Sequence, residues 1–287
     1  MPLTTTGELV TRARTVRRVR TAHTAVTAVT AFNVITLEHV EAVIAGAEAA
    51  GAPVVLQVSE NAVKFRQGRL LPLARAAVAA AERAAVPVAL HLDHVQSDLL
   101  LRQAADAGFG SVMYDASRLP YAENLAATRA AVDWAHSQGL WIEGELGEIG
   151  GKGAHAPGAR TDPAEARAFV AESGVDALAV AVGSVHAMTT RTAALDHDLI
   201  ERLAAVLDVP LVLHGSSGVP DGELIAAVAG GIAKVNIGTA LNQAMTGAIR
   251  DFLADHPEAV DARAYLTAGR AAMAATVERT VRLLTRA

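Results

Sequence analysis

The sequence predicts one α/β domain folded as a closed (β/α)₈ barrel, and three observations predict it. Short β-branched or apolar runs alternate with Ala-rich amphipathic stretches along the chain, and eight such runs are found. Gly or Pro stands just upstream of most of them, as at Gly51-Ala-Pro53, Val86-Pro87, Gly108, Gly139, Gly174, Pro210 and Gly230-Gly231, where it stops a helix and feeds a strand. Polar residues then gather at the far ends of the runs, which is where the loops of a barrel converge on one site. The 287 residues suit a single barrel of roughly 250 residues with short extensions.

Each element follows from local signals. A basic first helix carries Arg12, Arg14, Arg17, Arg18 and Arg20, and leads into a first candidate strand at Ala25–Val34. Arginines ahead of an apolar stretch resemble a leader peptide, but His23, Thr24, Thr27 and Thr30 interrupt the stretch, and Phe32-Asn33 completes a strand. Helix-period stretches at Leu37–Ala50, Leu70–Ala85, Ser97–Ala107 and Ala122–Gln138 precede candidate strands at Val54–Ser59, Val88–Asp93, Ser111–Asp115 and Trp141–Gly147. Pro163–Ser173, Asp198–Leu207 and Asp221–Ala229 precede those at Ala177–Gly183, Leu211–Gly215 and Lys234–Ile237. Strands this continuously apolar belong to a parallel sheet covered by helices. No shift in composition divides residues 1–287, which are read as one catalytic domain.

Composition narrows the chemistry. Hydrophobic residues make up 52% of the chain, enough for a substantial core, and aromatics only 3%, so that core is built from Ala, Val and Leu. There is no cysteine, which excludes disulfides, thiolate ligands and a thiol nucleophile. A net charge of −5 with scattered signs gives no footprint for nucleic acid, and no run reaches the ~18 apolar residues of a membrane span. A soluble cytoplasmic protein acting on a small molecule is expected.

The strand ends supply the candidate site. They read Gln57-Val-Ser59, His91-Leu-Asp93-His94, Asp115-Ala-Ser117, Glu143-Gly-Glu145, Gly183-Ser-Val-His186, His214-Gly-Ser-Ser-Gly218 and Asn236-Ile-Gly-Thr239. His94, His186 and His214 point into one space if the barrel closes, and three imidazoles around an open position make a catalytic zinc site. His23, His39, His136, His197 and His256 are read as ordinary hydrogen-bonded or surface histidines. Asp93, beside a ligand, is either a general acid/base or an outer support for a ligand histidine, and spacing alone leaves both open. Small residues at Gly215-Ser-Ser-Gly218 and Gly238-Thr239 let backbone N–H groups approach an anion, in the barrel region where phosphate sites recur.

Taken together and in order, these stretches resemble the class II, zinc-dependent fructose-bisphosphate and tagatose-bisphosphate aldolases. The matching segments run from Ala31-Phe-Asn-Val34 through Ser111-Val-Met-Tyr-Asp-Ala-Ser117, Thr161-Asp-Pro163, Ala179–His186 and Lys234–Thr239 to Tyr265–Met273. The resemblance implies cleavage of the C3–C4 bond of a ketose phosphate or bisphosphate, giving dihydroxyacetone phosphate and an aldehyde through a zinc-bound enediolate. It implies that His94, His186 and His214 hold the zinc, with Glu145 an alternative ligand, and that Asp93 moves the proton of the C4 hydroxyl. Ser59 and Asn236 would contact substrate, and Gly215, Ser217 and Thr239 would grip the donor phosphate. Arg263 would reach a second phosphate from a neighbouring subunit, so a homodimer or homotetramer is implied. A monovalent cation at the phosphate site is left open.

Four departures bear on the substrate. After Gly150-Gly151 many members of the family carry a loop glutamate that takes the donor proton; here the chain reads Lys152-Gly-Ala-His155, with no carboxylate until Asp162. His155 either replaces that glutamate or is a solvent-facing loop histidine. Ala187 stands where glycine usually follows the metal histidine, Gly238 where many members carry a larger residue, and Met188-Thr-Thr-Arg191 is unusual. Arg191 binds either an anion or a surface carboxylate. Two alternatives therefore stand beside the leading reading. One is a specialised aldolase for a deoxy- or keto-sugar acid phosphate; the other is a non-catalytic barrel that binds metal and sugar phosphate.

Overall fold

Eight parallel strands close on themselves in chain order. The structure, a computed structural model, describes residues 3–19, 27–146 and 160–285. Its strands are β1 (Leu3–Thr4), β2 (Val29–Asn33), β3 (Val54–Ser59), β4 (Val88–Val95), β5 (Ser111–Tyr114), β6 (Trp141–Leu146), β7 (Ala177–Val180), β8 (Leu211–Leu213) and β9 (Ile232–Ile237). Each of β2 to β8 pairs in parallel with the next, β9 closes the ring on β2, and β1 adds a short parallel pairing at the start of β4. All eight expected strands form, and the closed barrel is the fold the sequence predicts.

Side-chain alternation divides each strand between two environments. Residues such as Phe32, Leu56, Leu90, Ile142, Leu178 and Leu213 face outward into one continuous core under the surrounding helices. Inward-facing residues are small and apolar at the lower end: Val29, Ala31, Val55, Ala89 and Ala233 pack with Leu9, Val10 and Ala13 of the first helix, Thr6–Val19. Alanine at these inward positions leaves room for that helix to plug the bottom of the barrel. Higher up, the inward positions become polar, and the cavity opens at the strand C-termini.

Differences from the expected boundaries have local causes. The stretch Ser97–Ala107 splits into Asp98–Leu101 and Ala104–Ala107, because Arg102 caps the first piece and Gln103 starts the second. Strand β9 starts at Ile232, two residues early, and β7 ends at Val180, three residues early. After β9 come two long helices, Thr239–Asp255 and Ala262–Leu284. The second packs along Leu37–Ala50 at very close range: a Cβ on Gly46 would lie 2.5 Å from the Ala274 carbonyl oxygen. Helix propensity alone would make Gly46→Ala stabilising by about 1 kcal/mol. The backbone clash outweighs it, so the variant is expected to lose about 1–3 kcal/mol, seen as a lower midpoint in thermal melts. Among the described residues, no helix is long and apolar enough to cross a membrane.

Candidate active site

The site begins with an irregularity in β4. Adjacent residues on a regular strand face opposite ways, yet Asp93 and His94 both line the cavity. The register of β4 against β5 shifts between Leu92 and Val95, and His94 takes a left-handed backbone with φ 50°. That bulge turns both side chains into the mouth, a device recurrent beside active sites.

Three imidazoles converge there. The His94 ring lies 4.8 Å from His214 and 5.1 Å from His186 between centroids, and the nitrogens available as ligands from all three fall within 4.8 Å of one another. His94 Nε2 faces His214 Nδ1 at 3.0 Å. Burial, and the neighbouring His94, push His214 well below its ordinary pKa, so its ring is neutral and offers a lone pair. The outer nitrogens are met by partners: His94 Nδ1 by Asp115 at 2.9 Å, and His214 Nε2 by Asn236 Nδ2 at 3.0 Å with Glu143 at 3.8 Å. Three converging ring nitrogens, two of them on rings whose outer atoms are tied back, fit a divalent cation. Glu145, buried at the end of β6, groups with His94 and Asp115 in a second, overlapping set of possible ligands.

The support role is thus filled by Asp115, and Asp93 faces the cavity. Burial raises the Asp115 carboxyl, but hydrogen bonds from His94 and Ser117 outweigh that and hold it well below the usual range. Asp93 Oδ2 accepts from Asn33 Nδ2 at 2.8 Å, while Oδ1 is buried without a hydrogen-bond partner. Burial raises Asp93 too, but the electrostatic field of the neighbouring His94, with smaller contributions from His214, His91 and Lys234, outweighs it and holds the carboxyl well below its usual range, so it is ionised.

Across the mouth lie the small-residue loops. Gly215 has φ 67°, and a Cβ there would meet the Val185 backbone at 2.7 Å, so only glycine fits. Ser217 Oγ accepts from the Ala240 N–H at 3.1 Å, tying this loop to the start of helix Thr239–Asp255 and keeping its own O–H to donate. Gly215, Ser217, Asn236, Thr239 and Ser59 all line the same cavity as Asp93 and the three histidines. Ser59 Oγ accepts from Ala62 N–H at 3.2 Å, again leaving a donor. Asn236 Oδ1 is buried without a hydrogen-bond partner.

One expected residue, Arg263, is not brought into this cavity. Arg263 lies on the outside with its side chain 91% exposed, paired with Asp261. His155 lies outside the described residues. Arg191 binds Asp221 and the Val219 carbonyl oxygen, a surface contact within the chain. Ala187 has φ 60°, the left-handed backbone for which glycine is better suited. The other histidines have ordinary partners: His39 sits between Thr36 and Asn242, His136 meets Asp176, His197 meets Glu223, and His256 meets the Phe252 carbonyl oxygen. His23 lies outside the described residues.

Below the site is a polar layer in which Gln57, His91 and Glu143, noted near the strand ends, meet Lys234, which was not. Lys234 and Glu143, both fully buried, pair at 2.7 Å inside the barrel. Lys234 Nζ also donates to Gln57 Oε1 at 2.8 Å. His91 Nδ1 meets Ser111 Oγ at 2.8 Å, and burial together with Lys234 pushes His91 down to about 3. The signal for this layer was a lysine in a strand, Ile232–Ile237, that is otherwise polar only at Asn236.

Comparison with known proteins agrees with this geometry. The family model described as class-II fructose-bisphosphate aldolase matches residues 13–287. A fructose-bisphosphate aldolase of Geobacillus stearothermophilus is 38% identical over 85% of this chain and 87% of its own length. A 6-phospho-5-dehydro-2-deoxy-D-gluconate aldolase of Shouchella clausii is also 38% identical, over 87% of this chain and 86% of its own. The crystal structure of the YdjI aldolase from Escherichia coli K12 superposes with a TM-score of 0.82 at 30% identity, covering 99% of this chain and 98% of that one. With a family match over nearly its whole length and relatives well above 30% identity, the chain belongs to the class-II fructose-bisphosphate aldolase family.

Proposed function

We propose that the protein is a zinc-dependent aldolase that cleaves and forms the C3–C4 bond of a ketose phosphate, with dihydroxyacetone phosphate as the donor half. The observation that carries this reading is the buried, unpartnered Asp93 Oδ1 in the same cavity as His94, His186 and His214. The cation held by those histidines would supply Lewis acidity to the donor oxygens, and a three-imidazole set suits zinc among the divalent ions. Asp93 Oδ1 takes the C4 hydroxyl proton, the C4–O bond becomes the aldehyde carbonyl, and the C3–C4 electron pair remains with the donor half. Asn236 stands where it can hydrogen-bond a donor oxygen. Gly215 and Ser217, in the loop after β8, and Thr239, at the start of a 17-residue helix, hold the phosphate through backbone N–H groups and hydroxyls. A positioned, ionised carboxylate disfavours the non-catalytic reading, since a mere binder does not require one.

Dihydroxyacetone phosphate in D₂O tests the reading without a guess at the aldehyde. Loss of the C3 proton signal is expected with the metal-loaded protein and not after chelation. A loaded sample that exchanges nothing would remove the reading. His155 is the residue of this chain proposed to take the C3 proton, and His155→Ala is expected to slow that exchange. The second reading, a sugar-acid phosphate substrate, is favoured by the equal 38% identity to the two relatives named for different substrates.

The exposed Arg263 supports a role in trans, on a second phosphate bound at a neighbouring subunit, in a homodimer or homotetramer. Arg263→Ala and Asp93→Asn would each be inactive alone on a bisphosphate, yet activity should return on mixing and reassociation. Mixed subunits that stay inactive would show that Arg263 does not serve a neighbour.

A further inference from the structure

We infer that Lys234 is a positioning residue for Asp93, acting through the side-chain amides of Gln57 and Asn33; this rests on the acid/base role given to Asp93 above. Four groups form one line of hydrogen bonds across the barrel interior. Lys234 Nζ donates to Gln57 Oε1 at 2.8 Å, and Gln57 Nε2 donates to Asn33 Oδ1 at 3.4 Å. Asn33 Nδ2 then donates to Asp93 Oδ2 at 2.8 Å. Asn33 and Gln57 are register partners on β2 and β3, so the backbone holds the two amides side by side.

The direction of this line is set at both ends. An ammonium only donates and a carboxylate only accepts, while an amide between them does one of each. Lys234 therefore dictates which end of Gln57 faces it, Gln57 dictates the orientation of Asn33, and Asn33 presents N–H to Asp93. A flip at either amide would set donor against donor or oxygen against carboxylate. Lys234 and Gln57 are fully buried, so water cannot repair such a mismatch. Glu143, 2.7 Å from Lys234, balances the buried charge that gives the line its sense. The result is a cavity-lining carboxylate with Oδ2 tied back and Oδ1 left without a partner.

The test uses the metal-loaded full-length enzyme and two ways of cutting the line. Gln57→Leu removes the middle link and leaves the ion pair in place. Lys234→Met/Glu143→Leu removes the cation together with its counter-charge, a replacement that tends to preserve folding. Each is expected to lower kcat for ketose cleavage about 10- to 100-fold, and in Gln57→Leu, which leaves the neighbours of His214 in place, KM, metal content and donor C3–H exchange stay unchanged. The triple variant should be no slower than the slower of the two, because links in series do not add. Wild-type kcat or an equal fall in donor exchange in Gln57→Leu, or losses that multiply in the triple variant, would each overturn the inference. If the charge-free pair does not fold, Gln57→Leu decides alone. A wild-type enzyme that neither cleaves nor exchanges would remove the aldolase reading and this inference with it; an active wild type with unaffected variants removes the inference only.

Discussion

Asp93→Asn is expected to lower ketose cleavage by about two to four orders of magnitude while leaving bound metal and donor C3–H exchange in place. The substitution keeps the shape of the side chain and removes its basicity. Asn33 Nδ2 still needs an acceptor, so the new amide turns its oxygen toward Asn33 and its NH₂ toward the cavity. A donor then stands where the C4 hydroxyl proton has to leave. Metal binding survives because the ligand histidine His94 is held by Asp115 and not by Asp93. Exchange of the donor C3 proton survives because that step does not involve C4. Steady-state cleavage, metal analysis and deuterium exchange on the same preparation separate these effects. An equal collapse of cleavage and exchange would mean that Asp93 supports the metal site, the alternative that spacing alone had left open.

Much of this site is visible in the sequence because a closed barrel sends every strand end to one place. Once the eight runs are recognised, His94, His186 and His214 need no proximity in sequence to share a cavity. Gly215, Ser217 and Thr239 were legible for the same reason, as small residues after two neighbouring strands. What was not legible depends on side-chain direction. The bulge that turns both Asp93 and His94 inward is a matter of register between β4 and β5, and the left-handed backbone at His94 has no signature in composition. Asp115 could be placed at a strand end, but its choice of His94 over a cavity-facing role is set by the distance between two strands. Gln57, His91 and Glu143 were visible as polar residues near strand ends, but the pairing of Glu143 with Lys234 that joins them into a layer depends on where those side chains point. The break at Arg102-Gln103 shows the same limit, since a periodic stretch does not reveal where a helix is interrupted.

Lys234→Met alone is expected to destabilise the fold by about 3–5 kcal/mol, because it leaves the Glu143 carboxylate inside the barrel without its cation. The groups remaining near that carboxylate are poor substitutes: His91 and His214 approach it only to 3.9 and 3.8 Å. Burial keeps both rings neutral. Adding Glu143→Leu removes the stranded charge, and the double variant should recover most of the loss in chemical denaturation. The exposed pair Arg263 with Asp261 is the comparison, since water screens it and breaking it should leave the denaturation midpoint almost unchanged. A single variant as stable as the double would show that water or a proton already compensates Glu143. If the double variant folds as well as the parent, the pair is not retained for stability, because an apolar replacement serves that purpose. What an apolar replacement cannot do is tell an amide which way to face. The buried lysine then makes sense as the fixed end of the line leading to Asp93, and the acidic partner as the condition for keeping a charge there.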